Sequence, residues 1–210
     1  STPIKSSAAS DVYKRQVLCG VGGQGIVLTS KLIAAASMAK EIPVMSAETI
    51  GMAQKGGSVF SFLRIGEDLF CPMFPKGSAD LIIGFEPAEA VRMLPYLKPD
   101  GSVVVNTHPI QPVTATLSGG AYDADAMLDY LRQHVSHVTM LDGDSACREI
   151  GSPKVLNMVM LGAVLHSGIL PLSPEEVQQA MERTVKPQFH AWNRTALQYA
   201  AAHPEAICQS

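Results

Sequence analysis

Three observations predict a three-layer α/β/α domain with a mostly parallel central sheet and a helical C-terminal region. A glycine-rich turn, Gly20 to Gly25, separates a short apolar run from a helical stripe. Leu81-Ile82-Ile83-Gly84-Phe85 is a continuous apolar run of the kind that parallel sheets bury on both faces. From Lys154 onward the periodicity is helical throughout, so strands and helices alternate first and helices alone finish the chain.

Each element follows from local chemistry. Val17-Leu18-Cys19 opens the sheet, and Leu28, Leu32, Ala35, Ala36 and Ala39 mark the inner face of the first helix. Pro43 to Ser46 reads as a short strand and Val59 to Ile65, β-branched and aromatic, as another, within a hairpin-like excursion around Ser58 to Phe74. A helix follows the Leu81 run, with Pro87 in its first turn, Glu86 and Glu89 at its positive end, and Ala90, Val91, Leu94 and Leu97 facing inward. Pro99-Asp100-Gly101 turns into strand Val103 to Val105, which ends at Asn106-Thr107-His108-Pro109. Ala124 to His134 is helical, His137 to Leu141 a strand and Ser145 to Ile150 a short helix. Helices then run from Lys154 to His166, from a capping box at Ser173-Pro174-Glu175-Glu176, and from Pro187 to Ala202. Residues 1–16, rich in Ser, Ala and Lys without periodicity, read as a disordered or non-native tail, 17–202 as one domain and 203–210 as a C-terminal tail.

Composition excludes several classes of function. Of 210 residues, 47% are hydrophobic and 17% charged, and 16 Lys+Arg against 19 Asp+Glu leave a net charge of −3. No basic run is present to neutralise a row of phosphates, so nucleic acid is not an expected partner. The greasiest stretch, Val155 to Leu170, is broken by Asn157, His166 and Ser167, short of the ~20 apolar residues a bilayer span needs. Cys19, Cys71, Cys147 and Cys208 are far apart and never form C-x-x-C, which leaves no local ligand set for zinc or an iron–sulfur cluster. Free thiols without a signal-peptide pattern point to a cytoplasmic location. A low charge fraction together with ten Met suggests a subunit with a large interface.

Three stretches carry candidate chemistry. Gly20-Val21-Gly22-Gly23-Gln24-Gly25 is a G-x-G-x-x-G between strand and helix, as in Rossmann-like domains, where bare N–H groups and a helix N-terminus attract phosphate. Glu48, at the end of the next strand, stands where a ribose-binding acid is expected. The same glycines also serve plain strand–helix packing, and both readings stay open. A Walker A reading fails because no Lys-Ser/Thr pair follows Gly25. The second stretch, Thr49 to Gly57, places Gly51, Met52, Gln54, Lys55, Gly56 and Gly57 where a dinucleotide fold would start a helix; three glycines in nine residues oppose that helix and make a second loop. The third is Asn106-Thr107-His108, past a strand's carboxyl end, where His108 is placed to donate to an anion or, less plausibly than a rigid turn, to act as acid or base. Gly143-Asp144-Ser145-Ala146-Cys147 fails the G-x-S-x-G elbow because cysteine occupies the last glycine position.

Taken together, the runs GVGGQGIVLTSKL, AETIGMAQKGGSVFSFLRIG and ADLIIGFEPAEAVRMLPYLKPDGSVVVNTHPIQPV resemble the gamma-type subunit family of 2-oxoacid:ferredoxin oxidoreductases, over about Val17 to Ala202. Within it, FEPAEAVR and THPIQPV are similar to the indolepyruvate branch. The resemblance implies a complex that decarboxylates a 2-oxoacid on thiamine diphosphate, reduces ferredoxin through iron–sulfur clusters, and releases an acyl-CoA. Thiamine diphosphate, Mg and the clusters are then expected in a large partner subunit, because this chain has neither a G-D-G and Asn-Asn pattern for the magnesium nor a cysteine cluster. This chain would contribute anion-binding loops, with no catalytic residue of its own and coenzyme A as cosubstrate. Carried onto this sequence, Gly20, Gly22, Gly23, Gln24 and Gly25 match the first family loop and Gly51, Met52, Gln54, Gly56 and Gly57 the second. Lys55 stands where the family usually has arginine, which keeps the charge but loses the bidentate fork. The alternatives are a pyruvate or 2-ketoisovalerate oxidoreductase gamma subunit, a stand-alone NAD(P)-binding dehydrogenase, or an assembly module without ligand.

Overall fold

The computed structural model describes residues 14–49, 56–67, 69–110 and 122–209. One sheet contains β1 (Lys14–Val21), β2 (Val44–Glu48), β3 (Ser58–Ile65), β4 (Ala79–Gly84), β5 (Leu97–Asn106), β6 (His137–Leu141) and β7 (Ile207–Gln209), in the order β2-β3-β1-β4-β5-β6-β7. The helices are α1 (Ile26–Ala39), α2 (Pro87–Met93), α3 (Ala124–His134), α4 (Gly143–Ile150), α5 (Leu156–His166), α6 (Pro174–Thr184) and α7 (His190–Ala202). Among the described residues no helix is long and apolar enough to cross a membrane.

The four central strands, β1, β4, β5 and β6, are parallel. Antiparallel strands flank them: β3 lies between β1 and β2, and β7 joins β6. Alternation along each strand divides the apolar side chains between two cores, as a pleated sheet covered on both faces requires. Leu18, Leu63, Ile65, Leu81, Ile83 and Val104 face α1 and the helices α4 to α7. Val17, Cys19, Phe62, Ile82, Val103 and Val105 face α2 and α3. The connection through α1 leads to one side of β1 and the connection through α2 leads from β4 to the other, on opposite faces. The carboxyl ends of β1 and β4 therefore flank a switch point, the place where open α/β sheets form a crevice.

Several expectations change. Residues 58–65 are no excursion: β3 pairs along its whole length with β1, Lys14 to Ile65 through Val21 to Ser58, so it is an inner strand. Because of that pairing β1 begins at Lys14, three residues inside the expected tail. Residues 207–209, within the expected C-terminal tail, form a strand that pairs with β6 and protects its edge. Leu97 belongs to β5 rather than the helix before it, because Pro95 ends that helix in a 3-10 turn, Leu94–Tyr96. The buried face of α1 is Ile26, Thr29, Ser30, Leu32, Ile33, Ala36 and Ser37, rotated from the apolar stripe at Leu28, Ala35 and Ala39. Burying Thr29 and Ser37 is inexpensive because their hydroxyls donate to the carbonyls of Gly25 at 3.1 Å and Ile33 at 2.9 Å, one turn back. The capping box at Ser173 and Glu176 is formed as the sequence predicts.

Candidate functional site

Gly20 is the last-but-one residue of β1, and a side chain there has no room: a Cβ would stand 2.6 Å from Gln24 Oε1 and 2.7 Å from Phe85 Cβ. That space is filled by the Gln24 amide. Its Oε1 accepts from the Val21 N–H at 2.6 Å, and its Nε2 donates to the Phe85 carbonyl at 2.8 Å. Gln24 thus braces the loop across the switch point, from the end of β1 to the end of β4. Gly22 donates its N–H to the Gly57 carbonyl at 2.8 Å, and the Gly56 N–H approaches the Gly22 carbonyl at 3.5 Å. The two glycine loops therefore meet at their backbones. Gly56 has a φ of 77°, which suits glycine at this junction. Gly51, Met52, Gln54 and Lys55 of the second loop lie outside the described residues.

Gly23 and Gly25 have φ of 108° and 85°, and Gly25 caps α1 in a left-handed conformation with no side-chain bond. Open space surrounds Gly23, which is exposed. Of the loop amides, those of Val21, Gly22 and Gln24 are engaged within the protein. The N–H groups of Gly23 and Gly25 have no partner among the described residues and stand at the positive end of a 14-residue helix.

Asn106, at the end of β5, is a second buried brace. Its Nδ2 donates to the same Phe85 carbonyl at 3.1 Å, while Oδ1 accepts from the N–H of Gly143 at 2.9 Å and of His108 at 3.3 Å. Three strand ends and the start of α4 are thereby locked together. A cleft of about 240 Å³ opens beside them, lined by Val21 to Gln24, Asn106, His108, Ile110, Asp144, Cys147, Pro153 and Leu156. His108 is exposed at its rim. Glu48 ends β2 on the same sheet edge, yet β3 separates it from β1, so it is not brought beside the first loop. A standard dinucleotide fold has that acid on the strand next to the glycine turn.

Four groups at this edge escape sequence reasoning. Glu86 and Glu89 are fully buried, although as charged residues at a helix start they read as surface groups. Glu86 Oε2 caps α2 by accepting from the Glu89 N–H at 3.0 Å, and Oε1 is buried without a hydrogen bond. Burial, reinforced by the neighbouring Glu89 charge, pushes Glu86 up to about 7, against hydrogen bonds from backbone amides. Glu89 Oε2 accepts from Ser58 Oγ at 2.5 Å, which ties the exit of the second glycine loop to α2, and Arg92 lies 3.4 Å from Oε1. Cys147 and Asp144 line the cleft from α4. Burial, with the Asp144 charge adding to it, pushes the Cys147 thiol up to about 11, and Asp144 is paired with Arg148 at 2.6 Å. Only the phrase FEPAEAVR carried a signal for the acidic pair, and nothing in the linear order joins α4 or α5 to the glycine turn.

The described residues do not fit the magnesium of thiamine diphosphate or an iron–sulfur cluster. Among the described residues no three His, Cys, Asp or Glu side chains gather as metal ligands would. Cys19 and Cys147 occupy cores on opposite faces of the sheet, and burial raises both thiols, the reverse of what thiolate ligation needs. Cys71 and Cys208 are exposed.

A mixed α/β sheet with a parallel centre, whose switch point carries a braced glycine loop joined by backbone hydrogen bonds to Gly56 and Gly57, defines a domain of the doubly wound class. Residues 15–202 match the family model described as pyruvate ferredoxin/flavodoxin oxidoreductase, and the chain belongs to this family. It is 37% identical over 197 residues to the indolepyruvate oxidoreductase subunit IorB of Archaeoglobus fulgidus, covering 91% of this chain and 98% of that one. Among solved structures, the pyruvate oxidoreductase subunit PORC of Thermotoga maritima superposes with a TM-score of 0.67 at 23% identity, covering 95% of this chain and 99% of that one. The 2-oxoglutarate:ferredoxin oxidoreductase of Magnetococcus marinus, solved with 2-oxoglutarate, coenzyme A and succinyl-CoA bound, gives a TM-score of 0.72 at 21% identity over 95% of this chain and 32% of that one. At these identities the two structures bear on the fold alone.

Proposed function

We propose that the chain is the small subunit of an indolepyruvate-type 2-oxoacid:ferredoxin oxidoreductase, presenting its glycine loops to a site completed by a large subunit that carries thiamine diphosphate, Mg and the iron–sulfur clusters. The observation that carries this reading is the Gly22 to Gly57 hydrogen bond, which joins both loops at the mouth of the cleft. Its role there is to bind and orient: free amides at a helix N-terminus attract a phosphate or carboxylate, and buried braces hold those amides still. Similarity to an indolepyruvate oxidoreductase subunit across nearly the whole chain supports the substrate class. An acyl-CoA product follows from this reading, and the N-terminus of α1, which has no side-chain cap, suits a pyrophosphate-bearing guest. Ferredoxin then takes its electrons from the large subunit.

Purified alone, the chain is expected to be inert towards indolepyruvate, coenzyme A and ferredoxin. Mixing with the thiamine-bearing subunit is expected to restore ferredoxin reduction, faster with aryl pyruvates than with pyruvate, and to yield an acyl-CoA. Turnover by the chain alone, or full turnover by the large subunit without it, overturns the proposal.

A further inference from the structure

Asn157 is the second residue of α5 and lies against the N-terminus of α1. A Cβ on Gly25 would stand 2.9 Å from Asn157 Cβ, 3.1 Å from Cγ and 3.5 Å from Nδ2. The side chain therefore occupies the place that a residue other than glycine would fill. Asn157 is 3% exposed, and its Nδ2 has no hydrogen-bond acceptor. Leaving an amide donor buried without an acceptor forfeits its hydration with no return, so such a group in a packed interior calls for a partner. The other two amide side chains of this edge are different: Gln24 and Asn106 use both ends of their amides on backbone groups.

The surroundings say what the missing partner is. The Gly23 and Gly25 N–H groups, also without acceptors, belong to the helix end on which Asn157 packs, and Pro153 and Leu156, just before Asn157, line the cleft. All three groups are donors, and the helix end adds positive potential. Asp144, the one carboxylate among the described lining residues, is paired with Arg148 at 2.6 Å. We infer that Asn157 Nδ2 is a side-chain ligand for an anionic oxygen, of the phosphate or pyrophosphate class, held against Gly23 and Gly25. Gly25 is then required for two reasons, its left-handed backbone and the room it leaves for this amide. The inference rests on reading the glycine loop as an anion site and adds the residue that completes it from another helix.

The test uses the isotope-labelled full chain titrated with inorganic pyrophosphate and followed by NMR. The Gly23 and Gly25 amides and the Asn157 side-chain NH₂ are expected to shift along one isotherm. The isosteric Asn157→Asp is expected to weaken pyrophosphate binding by about tenfold or more, because a donor becomes an anion facing an anion. If the glycine amides shift while the Asn157 NH₂ stays still, or Asn157→Asp binds with unchanged affinity, the inference falls and the loop reading stands. If none of the three moves, both fall. The wild-type NH₂ signal decides the matter even where the variant is poorly folded.

Discussion

Glu86 has two duties that pull against each other: it caps α2 as an acceptor, and it is buried beside a second carboxylate. Its folded value of about 7 lies above the ordinary value of 4.5. Between those values the native chain holds a proton that the unfolded chain has released, so this group's contribution to stability is full below pH 4.5 and declines as pH rises through 7. The decline is on the order of 2 kcal/mol. Glu86→Gln keeps an acceptor for the cap and removes the titration, so urea unfolding at pH 5 and pH 8 is expected to give a smaller difference for the variant than for the native chain. An equal difference in both would show that Glu86 titrates as an ordinary carboxylate. The glycines of the first loop separate in the same residue-by-residue way. Gly23→Ala meets open space and suffers only backbone strain, about 1–2 kcal/mol. Gly25→Ala has that strain and also meets Asn157, so it is expected to lower the unfolding free energy by about 1–3 kcal/mol more. The glycine spacing was legible in the sequence; which glycine faces a ligand and which faces a neighbour was not, since Asn157 is far away in the chain.

At the scale of elements, α5, whose start packs on the first loop, is held against α7 by close backbone approach. Gly162, in α5, lies so near α7 that an added Cβ would overlap the Leu197 carbonyl oxygen, with the Ala196 oxygen at 3.3 Å. Backbone atoms cannot swing aside as side chains do, so the helices must part. Gly162→Ala is expected to cost about 3 kcal/mol and to lower Tm on the order of 10 °C, as differential scanning calorimetry would measure. A normal Tm would mean that the crossing is looser than the geometry indicates. Elements with local signals were readable: the Ser173 capping box and the limits of α3 and β6 come from capping and periodicity, while the last helix, expected from Pro187, opens with a 3-10 turn and is α-helical from His190. The inner face of α1 was not, because buried Thr29 and Ser37 satisfy their own hydroxyls and look polar in sequence.

At the scale of the whole molecule, the decisive feature is β3 inserted antiparallel between β1 and β2. It carries the end of the second glycine loop to Gly22 and moves Glu48 one strand away from the first loop, about 5 Å further than in a dinucleotide fold. NADH is therefore expected not to bind the isolated chain in isothermal calorimetry; saturable binding would reinstate the dehydrogenase reading. The sequence by itself determined the layered α/β class, the glycine turn between β1 and α1 and the family, because periodicity, turn chemistry and motif are written in neighbouring residues. Only the tertiary structure decided that β3 is an inner strand, that Gln24 and Asn106 brace the Phe85 carbonyl, that two glutamates are buried together and that Asn157 meets Gly25. Strand order and burial depend on contacts between residues tens of positions apart, and no local pattern encodes which distant partner a buried polar group will find.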